Sequence, residues 1–169
     1  MSEMQSEINW DSSLYQVDID PEVSFEERVK RTELFWCDPN IEHHFGERIM
    51  AIDGGTFHLQ CVFFSRHVST EEAFRILHEE GVKLADPAQL ISFAERFPDE
   101  QDKEAVYVLT PPDWRDKQGV WRSFLLANTT ADKDGAPICF EDKPLLVMAN
   151  GGTIINPGER ILTTFEVLR

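Results

Sequence analysis

The chain has 169 residues, 41 % of them apolar and twelve of them Phe, with 31 acids against 16 Lys and Arg and a formal charge of −15. That length can bury a core without disulfides or metal, and the charge argues against direct binding to nucleic acid or to anionic membrane. No apolar run approaches the ~20 residues needed to cross a bilayer; the N-terminus lacks the basic stretch and apolar core of a signal peptide. Cys37, Cys61 and Cys139 are too scattered for a disulfide framework, so the expected compartment is a reducing cytoplasm.

The charge is unevenly placed. The first 27 residues carry eight acids and no Lys or Arg, and residues 69–104 carry ten acids and four bases. A one-sign block reads as a solvated tail or as a docking surface for something basic. Residues 1–22 are read as an acidic arm and 23–169 as a single domain. The arm also holds Ile8, Trp10, Leu14, Tyr15, Val17 and Ile19. Val17 and Ile19 alternate with Asp18 and Asp20, the period of a half-buried strand, so part of the arm is expected to dock on the body or on another chain.

Ser24 and Glu27 form a capping-box pattern that starts a helix with Phe25, Val29, Thr32 and Trp36 on one face, and Asp38-Pro39 is expected to end it. Arg48–Ile52 and Thr56–Phe64 flank Asp53-Gly54-Gly55, which reads as a hairpin. In its second strand Phe57, Leu59, Cys61 and Phe63 face one way and His58, Gln60, Val62 and Phe64 the other. Two short helices follow. Ser69 and Glu72 open the first and Gly81 stops it; Asp86, Pro87 and Gln89 open the second and Pro98 ends it.

From 105 onward short strands alternate with turns: Ala105–Thr110, Val120–Asn128, Ala136–Phe140, Leu145–Ala149 and Ile161–Leu168. Breaks at Pro111-Pro112, Gln118-Gly119, Asp134-Gly135, Lys143-Pro144, Gly151-Gly152 and Pro157-Gly158 imply a mostly antiparallel meander that could curl into a half-barrel. Leu145–Ala149, apolar on both faces, is expected to be central and Ile161–Leu168 half-exposed. The fold class is therefore α+β: arm and helix, hairpin, two helices, five-stranded sheet.

The stretch "PAQLISFAERFPDEQ" from Pro87, the strand "AVYVL", Trp114 followed by "RDKQG", and the closing "FEVLR" together resemble a loose set of small uncharacterised bacterial proteins. The resemblance covers about half the chain and rests on core and turn residues. It implies one α+β domain of bacterial or phage origin and no activity.

Candidate chemistry is sparse. Glu42, His43, His44 and Glu47 crowd a segment read as a loop, and His58, Cys61 and His67 follow. His58 and Cys61, three apart in a strand, point to opposite faces and cannot share an ion, and the spacings of zinc sites are missing; no metal or cofactor is expected. Cys61 sits on an apolar stripe, which predicts an inert thiol. Cys37 follows Trp36 at a helix end, where a thiolate gains nothing. Asp132-x-Asp134-Gly135 hints at a calcium loop, but Lys143 stands where Glu is required. The turn Asp113-Trp114-Arg115-Asp116 joins two residue types enriched at binding hot spots to two carboxylates; the alternative is that Trp114 folds back over the sheet.

The leading expectation is a non-enzymatic acidic binding or inhibitor protein, of the immunity-protein or nucleic-acid-mimic kind, whose partner is a basic or nucleic-acid-binding protein. Contact would fall to Trp10, Asp18, Asp20, Glu22, Asp99, Glu100, Asp102, Asp113, Trp114 and Arg115. One alternative is a small hydrolase with its site at Asp113, Arg115 and Asp116. The other is a structural subunit that assembles through the arm.

Overall fold

In the computed structural model, which describes residues 7–34, 36–102, 104–127, 129–131, 137–139 and 145–166, the N-terminal segment is a strand of the main sheet. This strand, β1 (Ile8–Ile19), buries Tyr15, Val17 and Ile19 in the core and leaves Leu14, Gln16 and Asp18 in solvent. The alternation of Val17 and Ile19 with acids thus marks a strand docked on the body.

Helix α1 (Phe25–Arg31) starts as its capping residues predict, with Ser24 Oγ accepting from the amide of Glu27 at 3.2 Å. It is shorter than the apolar spacing suggests. Glu33 adopts a left-handed backbone with φ of 57°, and Trp36–Cys37 forms a two-residue strand, β2. The largest departure follows. Arg48–Ile52 is not a strand: α2 runs Pro39–Met50, and Asp38 caps it through the amide of Asn40 with Pro39 in the first turn. Asp38-Pro39 is therefore a helix start, for the reason that holds at Asp86-Pro87: proline lacks the donor that the first turn leaves unused anyway. Ile41, Phe45 and Ile49, four apart, form its buried stripe.

The strand after Asp53-Gly54-Gly55, β3 (Gly55–Phe64), pairs antiparallel with β1 instead, from Ile19 opposite Gly55 to Ile8 opposite Phe64. A Cβ on Gly54 would lie 2.5 Å from Pro21 Cδ and 2.8 Å from Ile19 O, so glycine is required by close approach to the end of β1. A bulge between Trp10 and Leu14 sets Asp11, Ser12 and Ser13 against Cys61 alone.

The remaining elements are β4 (Val68–Ser69), α3 (Thr70–Glu79), α4 (Pro87–Arg96), a 3-10 turn (Pro98–Asp102), β5 (Val106–Val108), β6 (Arg122–Ala127), β7 (Thr129–Ala131), β8 (Pro137–Cys139), β9 (Leu145–Asn150), β10 (Ile154–Ile155) and β11 (Arg160–Phe165). Both capping expectations hold: Ser69 Oγ accepts from Glu72, and Asp86 and Gln89 close a full reciprocal box. Seven strands form one mixed sheet in the order β1-β3-β11-β5-β6-β9-β2, with β11–β5 and β2–β9 parallel; β10–β4 and β7–β8 are separate pairs. The class is α+β and the sheet is open, not closed into a barrel. No helix among the described residues is long and apolar enough to cross a membrane.

Both faces of the sheet are covered. Leu59, Cys61, Val106, Val108, Phe124 and Leu126 face a core completed by α1, α2 and α4; Val62, Phe64, Tyr107 and Leu125 face a second core completed by α3, β4 and β10. Two-sided burial explains the unbroken apolar runs of β5 and β6. It also moves the centre of the sheet. The strand β11 lies between β3 and β5 with Arg160 through Thr163 buried, whereas β9 is second from the edge. The hydroxyl of buried Thr163 donates to Gln60 O at 2.7 Å, which satisfies it inside the protein. The Asp132–Gly135 motif and the Asp134-Gly135 and Lys143-Pro144 breaks lie outside the described residues.

Candidate functional site

The two acidic blocks meet at one place. Tyr15 projects from β1 toward α4, where its ring meets Phe93 and Phe97 edge-on at 5.0 and 4.9 Å. Pro98 ends α4 and turns the chain into the 3-10 segment, which brings Glu100 to the tyrosine: Tyr15 Oη donates to Glu100 Oε2 at 3.0 Å. From β11, Arg160 donates through Nη1 to the same carboxylate oxygen at 2.8 Å and through Nη2 to Glu104 O at 3.0 Å and to Glu100 O. Arg160 is 5 % exposed, and an arginine that deep requires such partners. Burial and the bond to Glu100 push the Tyr15 phenol up to about 12.

Beside this triad lies a cleft of about 270 Å³ lined by Asp11, Ser13, Phe63, Glu100, Glu104 and Arg160. Asp11 and Ser13 reach it because the bulge turns them out of register. One acidic block supplies Asp11 and the other supplies Glu100 and Glu104, while the cleft's cation is tied down by Glu100. At the bulge's ends Trp10 is 51 % and Leu14 64 % exposed.

Of the residues expected to make contact, Trp10, Asp18, Asp20 and Glu22 follow one another along β1 and its exit, all exposed. Asp18 accepts from Thr56 Oγ1 at 2.6 Å, and Asp20 accepts from the amide of Glu22 at 2.9 Å. Asp99 is exposed at the start of the 3-10 turn, and Glu100 is the half-buried hub just described. The backbone of Asp102 ends that turn; its side chain lies outside the described residues.

The turn after Pro112 is a separate, internally tied structure. Trp114 is not on the surface: it is 7 % exposed and packs on Phe45 at 5.7 Å and Phe124 at 6.0 Å. Arg48 of α2 lies over its ring at 4.1 Å and pairs with Asp113 Oδ2 at 2.6 Å, which holds that carboxyl below the usual range. Arg115 donates to Gly119 O at 2.8 Å. Asp116 is buried and accepts from the amides of Gln118 and Val120 and from Arg122 Nε, each at 2.9 Å. Burial alone would raise its carboxyl; the Val120 amide, the Arg122 guanidinium and the Gln118 amide outweigh that and hold it low. Lys117 completes the clamp through His43 and His44 of α2. This turn is thus a self-satisfied knot, with Asp113 and Arg115 exposed at its rim.

Among the described residues, no group of three or more His, Cys, Asp or Glu is placed to hold a metal ion. Cys61 faces the core, where burial raises its thiol to about 12; Cys37, half-buried in β2, is raised to about 11 by burial and by Asp38. Neither carries the lowered value of a nucleophile.

Asp11 and Glu104 belong to the acidic segments expected to make contact, whereas Tyr15 and Arg160 were given no site role from sequence. Tyr15 had a signal, sharing a period-2 face with Val17 and Ile19. Its meeting with Glu100 had none, because a pairing across 85 positions leaves no local pattern. Compared with models of known families, with curated proteins and with solved structures, the chain matches none, in keeping with a resemblance carried by core and turn residues alone.

Proposed function

We propose that the protein is a non-enzymatic binding module that docks on a basic macromolecular partner through the face formed by β1, the Pro98–Asp102 turn and Glu104. The carrying observation is convergence: Asp11 from one acidic block and Glu100 and Glu104 from the other line one cleft. Acids gathered on one face steer a basic partner and select its orientation, whereas charge serving solubility alone has no reason to converge. Trp10 and Leu14, exposed on the same strand, supply the apolar anchors that carry binding energy. As the first strand of the sheet, β1 also presents an outer edge with backbone donors and acceptors.

The partner this face suits is a basic or nucleic-acid-binding protein, which an inhibitor of the immunity-protein or nucleic-acid-mimic kind would engage. The free thiols of Cys37 and Cys61 suit a cytoplasmic setting. The hydrolase alternative gains no support, since the carboxylates of Asp113 and Asp116 are taken by Arg48 and by the turn itself.

Capture from the protein's own cell extract tests the proposal. Basic proteins should bind at low salt and elute as salt rises. Capture that ignores salt, or that recovers only acidic proteins, would count against it.

A further inference from the structure

Around one opening reached from both cores, four apolar side chains stop short of full burial. Ile52, Phe74, Val82 and Leu84 are each half-buried and border a cavity of about 620 Å³ between α3, the connection to α4 and the Pro111–Trp114 turn. Small-molecule sites span roughly 300–1,000 Å³, and protein cores normally close around apolar groups at higher density than this. Covering such surface is favourable for any apolar occupant of matching size.

Two features set the occupant's chemistry. Phe74 lies flat on His78, with centroids 5.7 Å apart and planes 9° from parallel, and its ring meets Trp121 edge-on at 5.4 Å. Packed against these two side chains, the ring gives the cavity an aromatic wall. Among the described residues Asp86 is the one carboxylate that lines the cavity, and no Lys or Arg lines it. This carboxylate caps α4 by accepting the amide of Gln89 at 2.8 Å, and the amide of Ala88 is also directed at it. Two amide donors leave further lone pairs on its oxygens. No ion pair reaches it among the described residues. Burial raises its carboxyl, and the pull of Arg28 does not cancel that effect, as for a desolvated anion without a close cation.

We propose that this cavity binds a small aromatic amine, with the ring on the Phe74 wall and the ammonium at Asp86. The site is independent of β1, and its test uses no macromolecular partner, so its failure and that of the docking face are separable.

The test titrates the protein with naphthylethylamine and with naphthylacetate, which share a ring and differ in charge, following amide shifts by NMR. The amine should shift amides of residues 74–86 and 109–114 saturably and bind about tenfold tighter than the acid, the scale of one charge-assisted hydrogen bond. Asp86→Asn keeps the cap, since Asn caps as well as Asp, and should bring the two ligands to within about twofold. Val82→Phe, which fills the cavity, should weaken both while the remaining amide shifts stay those of the folded protein. No saturable shift in those segments, equal affinity for the two ligands, or a preference that survives Asp86→Asn would overturn the proposal.

Discussion

Tyr15 Oη and Glu100 Oε2 lie 3.0 Å apart, so the N-terminal acidic segment and the second acidic block are joined by a hydrogen bond across the sheet's edge. The bond's contribution to stability is measurable. Tyr15→Phe keeps the contacts with Phe93 and Phe97 and should destabilise the fold by about 1 kcal/mol, the net worth of one hydrogen bond. A urea midpoint that falls with an unchanged slope is the expected readout.

The same residue makes a pH prediction. The chain has two tyrosines, and burial raises both phenols, Tyr15 to about 12 and Tyr107 further still. A folded value above the unfolded one means the native state holds its proton longer. Stability from these groups is complete below the unfolded value near 10 and is lost as pH rises through the folded value. Absorbance titration should show little phenolate at pH values where unfolded chain is half-ionised, with the signal appearing on alkaline unfolding. Ordinary titration of either tyrosine would contradict its placement.

Arg160 tests the cleft from the other side. Arg160→Met removes the cation that Glu100 and Glu104 O share and leaves a partly buried carboxylate without it. The expected loss is about 3 kcal/mol, as for breaking a buried pair from one end. Pairing this change with Glu100→Met should recover part of the loss, which a double-mutant cycle would measure.

The turn at 113–116 separates core from surface. Trp114→Ala should cost about 4 kcal/mol, the value for a large aromatic removed from a core, whereas Asp113→Asn, at an exposed rim pair, should leave the urea midpoint nearly unchanged. Asp116→Asn should act through pH. Its carboxyl is held low in the fold, so its stabilisation is present above the unfolded value and disappears as pH falls through the folded one. The variant should be weaker than wild type at neutral pH and converge with it in acid.

Deleting residues 1–22 removes Tyr15, Val17 and Ile19 from the core and bares the edge of β3. The product should lose cooperative unfolding and aggregate by light scattering. A stable, monomeric truncation would contradict the role of β1 as part of the sheet.

What was legible in the sequence was local. Ser24, Ser69 and Asp86 announced their helices because capping is chemistry within four residues, and the two faces of β3 followed from its period. Asp38-Pro39 carried the signature of Asp86-Pro87, and the spacing of Ile41, Phe45 and Ile49 agreed with it. The turn-like Asp53-Gly54-Gly55 drew attention to a hairpin, when Gly54 answers to the packing of Ile19 and Pro21. Strand order was not legible, since β11 reaches the sheet's interior through a parallel pairing with β5 across more than fifty residues. The acids of the site could be counted from sequence, but their convergence required the bulge at Trp10–Leu14 and the meeting of Tyr15 with Glu100.

The central claim is that position, and not total charge, makes the acidic residues a docking face. Two charge-matched triple variants decide it. Asp11→Asn, Asp18→Asn and Glu104→Gln neutralise the face; Glu33→Gln, Glu42→Gln and Glu80→Gln remove the same charge from exposed positions elsewhere. Binding of each to an immobilised basic peptide of extended conformation, measured across a salt series, should fall at least about tenfold further for the face variant. Equal losses for the two would contradict the claim and leave the charge as a matter of solubility alone.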